Sequence, residues 1–154
     1  MTLNYLTMKN YIKIAGLAII LIVATAMLSS KPNTMHSMQG VWELQSFSNW
    51  NGEAIDTVDK APGYRQVKIY YNGKIMWSRW VPGDKQGRFG YGSYKITDTE
   101  LQETIEYGDY EMMQALDTMR VFTFELDLKD DTYSQITLDG EGNPTFSENY
   151  VRID

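Results

Sequence analysis

The chain contains no cysteine. That excludes disulfides, thiolate metal sites, a cysteine nucleophile and a lipid-modified N-terminal cysteine. Histidine is almost as scarce: His36 is the single one, and it precedes the patterned part of the chain. A Ser-His-Asp triad, haem held by an interior histidine and an ordinary zinc site therefore lack their base or ligand. An excess of basic charge is missing too. The 14 Lys and Arg residues stand against 20 Asp and Glu, a net charge of −6. Nucleic acid and anionic membrane surfaces attract cationic proteins, so neither is an expected partner. No repeat is evident, and the 154 residues make room for one domain and little else.

What is present begins with a targeting pattern. Lys9 and Lys13 precede an apolar run from Ile14 to Leu28, and no acidic residue occurs before Glu43. Ala24-Thr25-Ala26 has the small-x-small form of a cleavage site. The run is 15 residues by count, short of the roughly 20 that span a bilayer. Residues 1–28 read as a signal peptide, with a retained inner-membrane anchor over residues 14–28 as the alternative. The mature protein is then exported, periplasmic or secreted, and touches a membrane only through this segment if it is not cleaved. Cleavage removes two lysines and no acid, taking the net charge from −6 to −8, which favours solubility. Residues 29–38 are polar and pattern-free, a linker. Residues 39–154 form the domain.

Within that domain one strand follows another. Strands are expected at 40–47, 64–71, 74–80, 88–96, 101–107, 119–128, 132–138 and 145–153, with a long loop over 48–63. Asn72-Gly73 is the strongest turn signal, since a type I′ hairpin needs positive φ at both positions. Residues 109–117 are the helical exception, with Tyr110, Met113 and Leu116 on one face. Eight sequential strands with short connections predict an all-β, up-and-down antiparallel barrel. Closure removes exposed edges and leaves room for side chains plus one small ligand. A two-sheet sandwich is the structural alternative.

Hairpin register assigns faces. The Asn72-Gly73 turn sets Ile69 opposite Met76, Val67 opposite Ser78 and Arg65 opposite Trp80. This face is the more apolar and is expected inside, with Lys68 and Trp77 outside. The turn at 97–100 sets Tyr94 opposite Glu103 and Gly92 opposite Ile105. That face must look inward, because the other carries Lys95, Gln102, Thr104 and Glu106. Phe122, Phe124 and Leu126 face in as well. The last strand is ambiguous; with Phe146, Glu148, Tyr150 and Arg152 inward, the lumen holds a charged cluster needing internal pairing, water or a polar ligand group.

Several segments carry a resemblance. Gly40-Val41-Trp42-Glu43-Leu44 resembles the opening strand of lipocalin-like domains. Together with 64–77, Gly90-Tyr91-Gly92-Ser93-Tyr94, 103–107 and Tyr150-Val151-Arg152-Ile153, it is similar to one exported bacterial group, the DUF4488 family, over about residues 39–153. The resemblance implies a calycin-type barrel of unassigned function, with no catalytic set and no cofactor. It implies that Trp42 and Arg152 join the first and last strands by stacking. Where the family closes with Trp before its final basic residue, this chain has Tyr150.

The residues thus predict non-enzymatic binding of a small apolar or amphipathic molecule inside the barrel. Met76, Trp80, Phe122 and Phe124 would supply the apolar wall; Tyr94, Glu103, Tyr150 and Arg152 would orient a polar group. Met112, Met113 and Met119 flank the helical insert, which reads as a lid or as core filler. The alternative is a filled, ligand-free barrel acting as a cell-envelope interaction module through Trp50, Trp77 and the 48–63 loop. Asp139, Glu141 and Asn143 alternate in a Gly-rich turn but lack a full calcium-ligand set, so a plain turn and no metal are expected. Glu103 and Glu148 as a sugar-cleaving acid/base pair is weaker than a pairing network.

Overall fold

The computed structural model describes residues 35–51 and 55–154. The expected leader over 1–28 and the linker's first six residues lie outside the described residues. Among the described residues no helix is long and apolar enough to cross a membrane.

Among the described residues nine strands form one antiparallel sheet: β1 (Gly40–Trp50), β2 (Ile55–Asp59), β3 (Arg65–Tyr71), β4 (Lys74–Trp80), β5 (Arg88–Ile96), β6 (Glu100–Gly108), β7 (Val121–Leu128), β8 (Thr132–Leu138) and β9 (Pro144–Arg152). Two short helices accompany them among the described residues, α1 (Met35–Met38) and α2 (Tyr110–Ala115). The sheet order is β2-β1-β3-β4-β5-β6-β7-β8-β9, and β9 pairs back on β1. Eight strands therefore close a ring, which excludes the open two-layer sandwich. Closure leaves no edge in the ring to template aggregation.

The ninth strand corrects the expected long loop. β1 runs on to Trp50, changing neighbour on one side. Gly40–Glu43 pairs with β3, whereas Ser46–Trp50 pairs with β2. Every residue of β2 is exposed, so it carries none of the in–out alternation by which a strand is read. The linker is corrected as well: α1 occupies its end, and Met38 is fully buried.

The hairpin registers are those that the turns dictate. Ile69 lies opposite Met76 and Lys68 opposite Trp77, around a turn where Asn72 has φ 46°. Tyr94 lies opposite Glu103 and Ile96 opposite Leu101. The faces of β3 and β4 are the reverse of the expectation. Gln66, Lys68 and Tyr70 are buried, and Ile75 with them, while Met76 is 46 % exposed and Trp80 45 %. Trp77 packs against the core from inside. Its indole lies across Gly90, where a Cβ would sit 2.5 Å from Nε1; only glycine lets that ring lie flat on β5.

The core fills the end of the barrel nearest the chain's two strand termini. Trp42, Tyr70, Ile75, Tyr94, Leu101 and Tyr133 are 0–2 % exposed. Their rings meet edge to face, Trp42 on Tyr133 at 4.9 Å and Tyr70 on Tyr94 at 4.9 Å, while Tyr133 stacks on Tyr150 at 4.6 Å. Such pairs add about 0.5–1.5 kcal/mol each beyond the area they bury.

Candidate functional site

Alternation along each inward face sorts the interior into layers, because residues i and i+2 share a face. On β3 the sequence Tyr70, Lys68, Gln66 climbs from the closed end toward the mouth. On β4 the climb is Ile75, Trp77, Arg79.

At the closed end Arg152 is the register partner of Trp42. Its Cζ lies 4.1 Å from the indole centroid. The guanidinium donates from Nη1 to the Gln39 carbonyl (2.6 Å), from Nη2 to Ser37 (3.0 Å) and from Nε to Asp130 (3.2 Å). Trp42 Nε1 donates to the Met38 carbonyl at 3.0 Å. Gly40 has φ +146°, and a Cβ there would stand 2.0 Å from Arg152 Nη1. The glycine, the tryptophan and the distant arginine are thus one device: the first two leave a slot that the third fills. Arg152 is committed to this closure and does not line the cavity described below.

The middle layer holds a buried ion pair. Lys68 Nζ lies 2.9 Å from Glu103 Oε1, and each side chain is 5 % exposed. Lys68 also donates to Gln135 Oε1 at 2.6 Å, and the Tyr70 hydroxyl donates to Glu103. Burying two charges costs several kcal/mol per ion unless both are paired and hydrogen-bonded. Here the lysine's donors and the carboxylate's oxygens have those partners. This pairing explains why a lysine faces inward where the valine and isoleucine of the same strand do not.

Above that layer the barrel opens into a cavity of about 170 Å³. Trp77, Ile105, Met112, Phe122 and Phe124 form its apolar wall. Gln66, Lys68, Arg79, Glu103 and Glu148 form its polar wall. Gln66 Nε2 donates to Glu148 Oε1 (3.1 Å) and to the Tyr150 hydroxyl (2.6 Å); that hydroxyl donates to Glu148 Oε2 (2.6 Å). The Tyr64 hydroxyl donates to Gln66 Oε1 at 2.7 Å. Burial pushes the Tyr64 phenol up; the Arg79 charge pulls it down and the Glu148 charge pushes it further up. Burial and the facing carboxylates hold the phenols of Tyr70, Tyr133 and Tyr150 well above the usual range, and burial takes Tyr94 to about 12. All four stay protonated at neutral pH, as donors or neutral surfaces rather than bases.

Helix α2 covers one side of the mouth. Asp109 is its N-cap, accepting from Met112 N at 3.0 Å, and it also accepts from Phe89 N and Arg88 Nε at 2.9 Å. The helix turns Met112 toward the cavity and buries Leu116, while Tyr110 and Met113 face solvent. The expected Tyr110/Met113/Leu116 face is corrected accordingly: the packed pair is Met112 and Leu116, spaced i, i+4.

Of the eight expected ligand-contacting residues, Glu103, Phe122 and Phe124 line the cavity. Tyr94 and Tyr150 face inward but lie below it, in the packed core. Met76 and Trp80 are on the outer wall and contribute nothing to the lumen. Gln66, Lys68, Trp77 and Arg79 were missed together, because they share the face of one hairpin that was turned the wrong way. Glu103 is paired with Lys68, and Glu148 accepts from Gln66 and Tyr150. Among the described residues no cluster of three or more His, Cys, Asp or Glu residues could hold a metal. In the 139–143 turn, Asp139 Oδ1 accepts from the amides of Glu141 and Asn143 at 2.9 and 2.8 Å, which is turn chemistry.

No protein-family model matches the chain, and no protein of curated function matches it. Solved structures do. A lipocalin-like protein from Bacteroides uniformis aligns with a TM-score of 0.53 at 14 % identity, over 76 % of this chain and 99 % of that one. An uncharacterized protein from Bacteroides eggerthii aligns with a TM-score of 0.48 at 16 % identity, over 75 % and 98 %. The fold is lipocalin-like. At this identity the first likeness extends to the architecture alone, and the finer DUF4488 likeness has no matching family model behind it.

Proposed function

We propose that this lipocalin-like barrel binds a small amphipathic molecule, without chemistry, in the cavity at its mouth. The observation that carries this reading is one cavity lined both by aromatic and aliphatic side chains and by hydrogen-bonding ones. Binding sites are concave, mostly apolar, and carry a few placed polar groups. The volume limits the occupant. At about 170 Å³ it compares with apolar cavities of about 150 Å³ that admit benzene, and it is smaller than the roughly 300–1,000 Å³ of drug-sized sites. A single ring or a short chain fits; a haem or a long acyl chain does not fit within it. The leader pattern of residues 1–28 and the DUF4488-like motifs support export of this binder from a bacterial cytoplasm. The chain has no cysteine and a single histidine, His36, so a thiol nucleophile is excluded.

Native mass spectrometry of the protein purified from its producing cells tests the reading. A bound small molecule is expected, and Phe122→Arg, which fills the cavity, should remove it. Bare protein from the cells, together with no binding of one-ring amphipathic compounds at millimolar concentration, overturns it.

A second reading has its own observation. On the outer wall Val41, Ile69, Met76, Tyr91 and Tyr107 are successive register partners across β1, β3, β4, β5 and β6. Ile69, Met76 and Tyr107 are 42–50 % exposed. A continuous apolar row is a feature of protein-binding surfaces, and it replaces Trp77 as the basis for an interaction module. Met76→Lys in the row should abolish self-association or partner binding in sedimentation if this reading holds, and leave ligand binding untouched.

A further inference from the structure

The four charges of the cavity are not treated alike. Glu103 is paired with Lys68. Glu148 has each oxygen occupied by a neutral donor, Gln66 Nε2 or the Tyr150 hydroxyl. Arg79 is different. Its Nε is buried and has no hydrogen-bond partner, and among the described residues it forms no ion pair. Elsewhere on the guanidinium its hydrogen-bond partner is the neutral Tyr64 phenol, which carries no compensating charge. Leaving a buried donor unmatched is unfavourable, more so for a charged group. The strand register adds a second cation: Arg79 lies opposite Arg88. Arg88 is compensated, with Nε 2.9 Å from Asp109 Oδ2 and Nη1 bound to Glu111. Two guanidinium groups thus stand at the mouth on adjacent strands, and the one that lines the cavity lacks a counter-ion.

We infer that the ligand is a small monocarboxylate, its anionic group paired with the Arg79 guanidinium and its ring or short chain against Trp77 and Phe122. This rests on the binding reading above and specifies its polar end. A guanidinium offers a planar fork that matches a carboxylate by two parallel hydrogen bonds. Among the described residues Arg79 and Glu148 are each without an ion-pair partner, so the site takes at most a single negative charge, held on the Arg79 side. Glu103 and Glu148 line the same cavity, and a dianion would meet their repulsion with only one uncompensated cation in return. The missing partner is an acceptor, because every carboxylate oxygen of the site already accepts a hydrogen bond while an arginine donor is unmatched. Trp77 is two residues from Arg79 on β4, so one strand presents the anion site and the aromatic wall side by side.

Titration calorimetry at pH 7 with benzoate and phenylacetate, against the isosteric benzamide and phenylacetamide, tests this. Wild type should bind the acids at least about tenfold more tightly than the amides, the difference expected of a charge-assisted pair. Arg79→Gln should erase that preference while still binding the amides, and Arg79→Lys should retain part of it. Amides binding as well as acids, or an acid preference that survives Arg79→Gln, overturns the inference and leaves the cavity reading in place. No binding of any of the four compounds to wild type overturns the inference, and together with bare protein from the cells it overturns the binding reading as well. If Arg79→Gln fails to fold, as judged by its thermal melt, the acid-against-amide ratio in wild type and in Arg79→Lys decides.

Discussion

The two ends of this barrel are built from the same strands by opposite rules. At the closed end, Trp42, Tyr70, Tyr94 and Tyr133 leave no space, and the polar atoms at their edges have partners. At the mouth, residues two or four positions further along the same strands leave a cavity, and one guanidinium donor is left unmatched. The difference separates stability from recognition along the barrel axis. Dense packing at one end over-determines the ring, so the other end can hold charge and open space that would not by themselves favour folding. The Lys68–Glu103 pair marks the boundary: it is buried like the closed end and polar like the mouth.

The largest expected effect is at the closed end. Trp42→Ala removes the ring that Tyr133 and Arg152 both contact, and should cost about 3–5 kcal/mol in urea unfolding. A loss under about 1 kcal/mol would show that the closed end does not carry the fold. Next is the boundary layer. Lys68→Met leaves Glu103 charged and buried without a cation, at a cost of about 3 kcal/mol. The double change Lys68→Met with Glu103→Leu should recover most of that. If the double variant is as unstable as the sum of its single changes, the pair is not the unit described here.

Arg152→Ala is expected to cost about 2–3 kcal/mol, the loss of one cation–π contact and of three hydrogen bonds to backbone carbonyls that water in part replaces. It should leave carboxylate affinity unchanged. A drop in affinity would join the two ends that the geometry separates. The smallest effect belongs to the mouth. Burial alone would raise the Asp109 carboxyl, but hydrogen bonds from Arg88 and from the amides of Met112 and Phe89 outweigh it and hold the pKa below the ordinary value. A carboxyl lowered in this way stabilises above its unfolded-state pKa, and the contribution fades as pH falls through the folded value. Asp109→Asn should therefore cost about 1 kcal/mol at pH 7, with the gap to wild type closing in acid. Stability curves from pH 7 down to pH 2 check this, and a constant gap would mean that the carboxylate's charge is irrelevant to the cap.

How far the molecule was legible depends on where each strand's neighbours are encoded. The Asn72-Gly73 turn contains its own register, so Ile69 opposite Met76 could be read from local residues. Which of the two faces looks inward could not. That depends on β4 meeting β5 across the loop of residues 81–87, which does not fix a register. For β5 and β6 the outer face is so polar that composition decided it, and Glu103 was placed inward correctly. For β3 and β4 composition misled, because the lysine on the inner face becomes acceptable only through Glu103, 35 positions away in the chain. β2 was illegible for a simpler reason: an exposed strand has no apolar period.

By itself the sequence determined a strand-rich domain, its turns, the absence of thiol and histidine chemistry, and the residues able to close a ring. The tertiary structure alone decided which hairpin face became lumen, and with it the cavity and the placement of Arg79. Local pattern records whether a side chain prefers water. A buried charge depends instead on a partner supplied by another strand, and only the closed barrel brings those strands together.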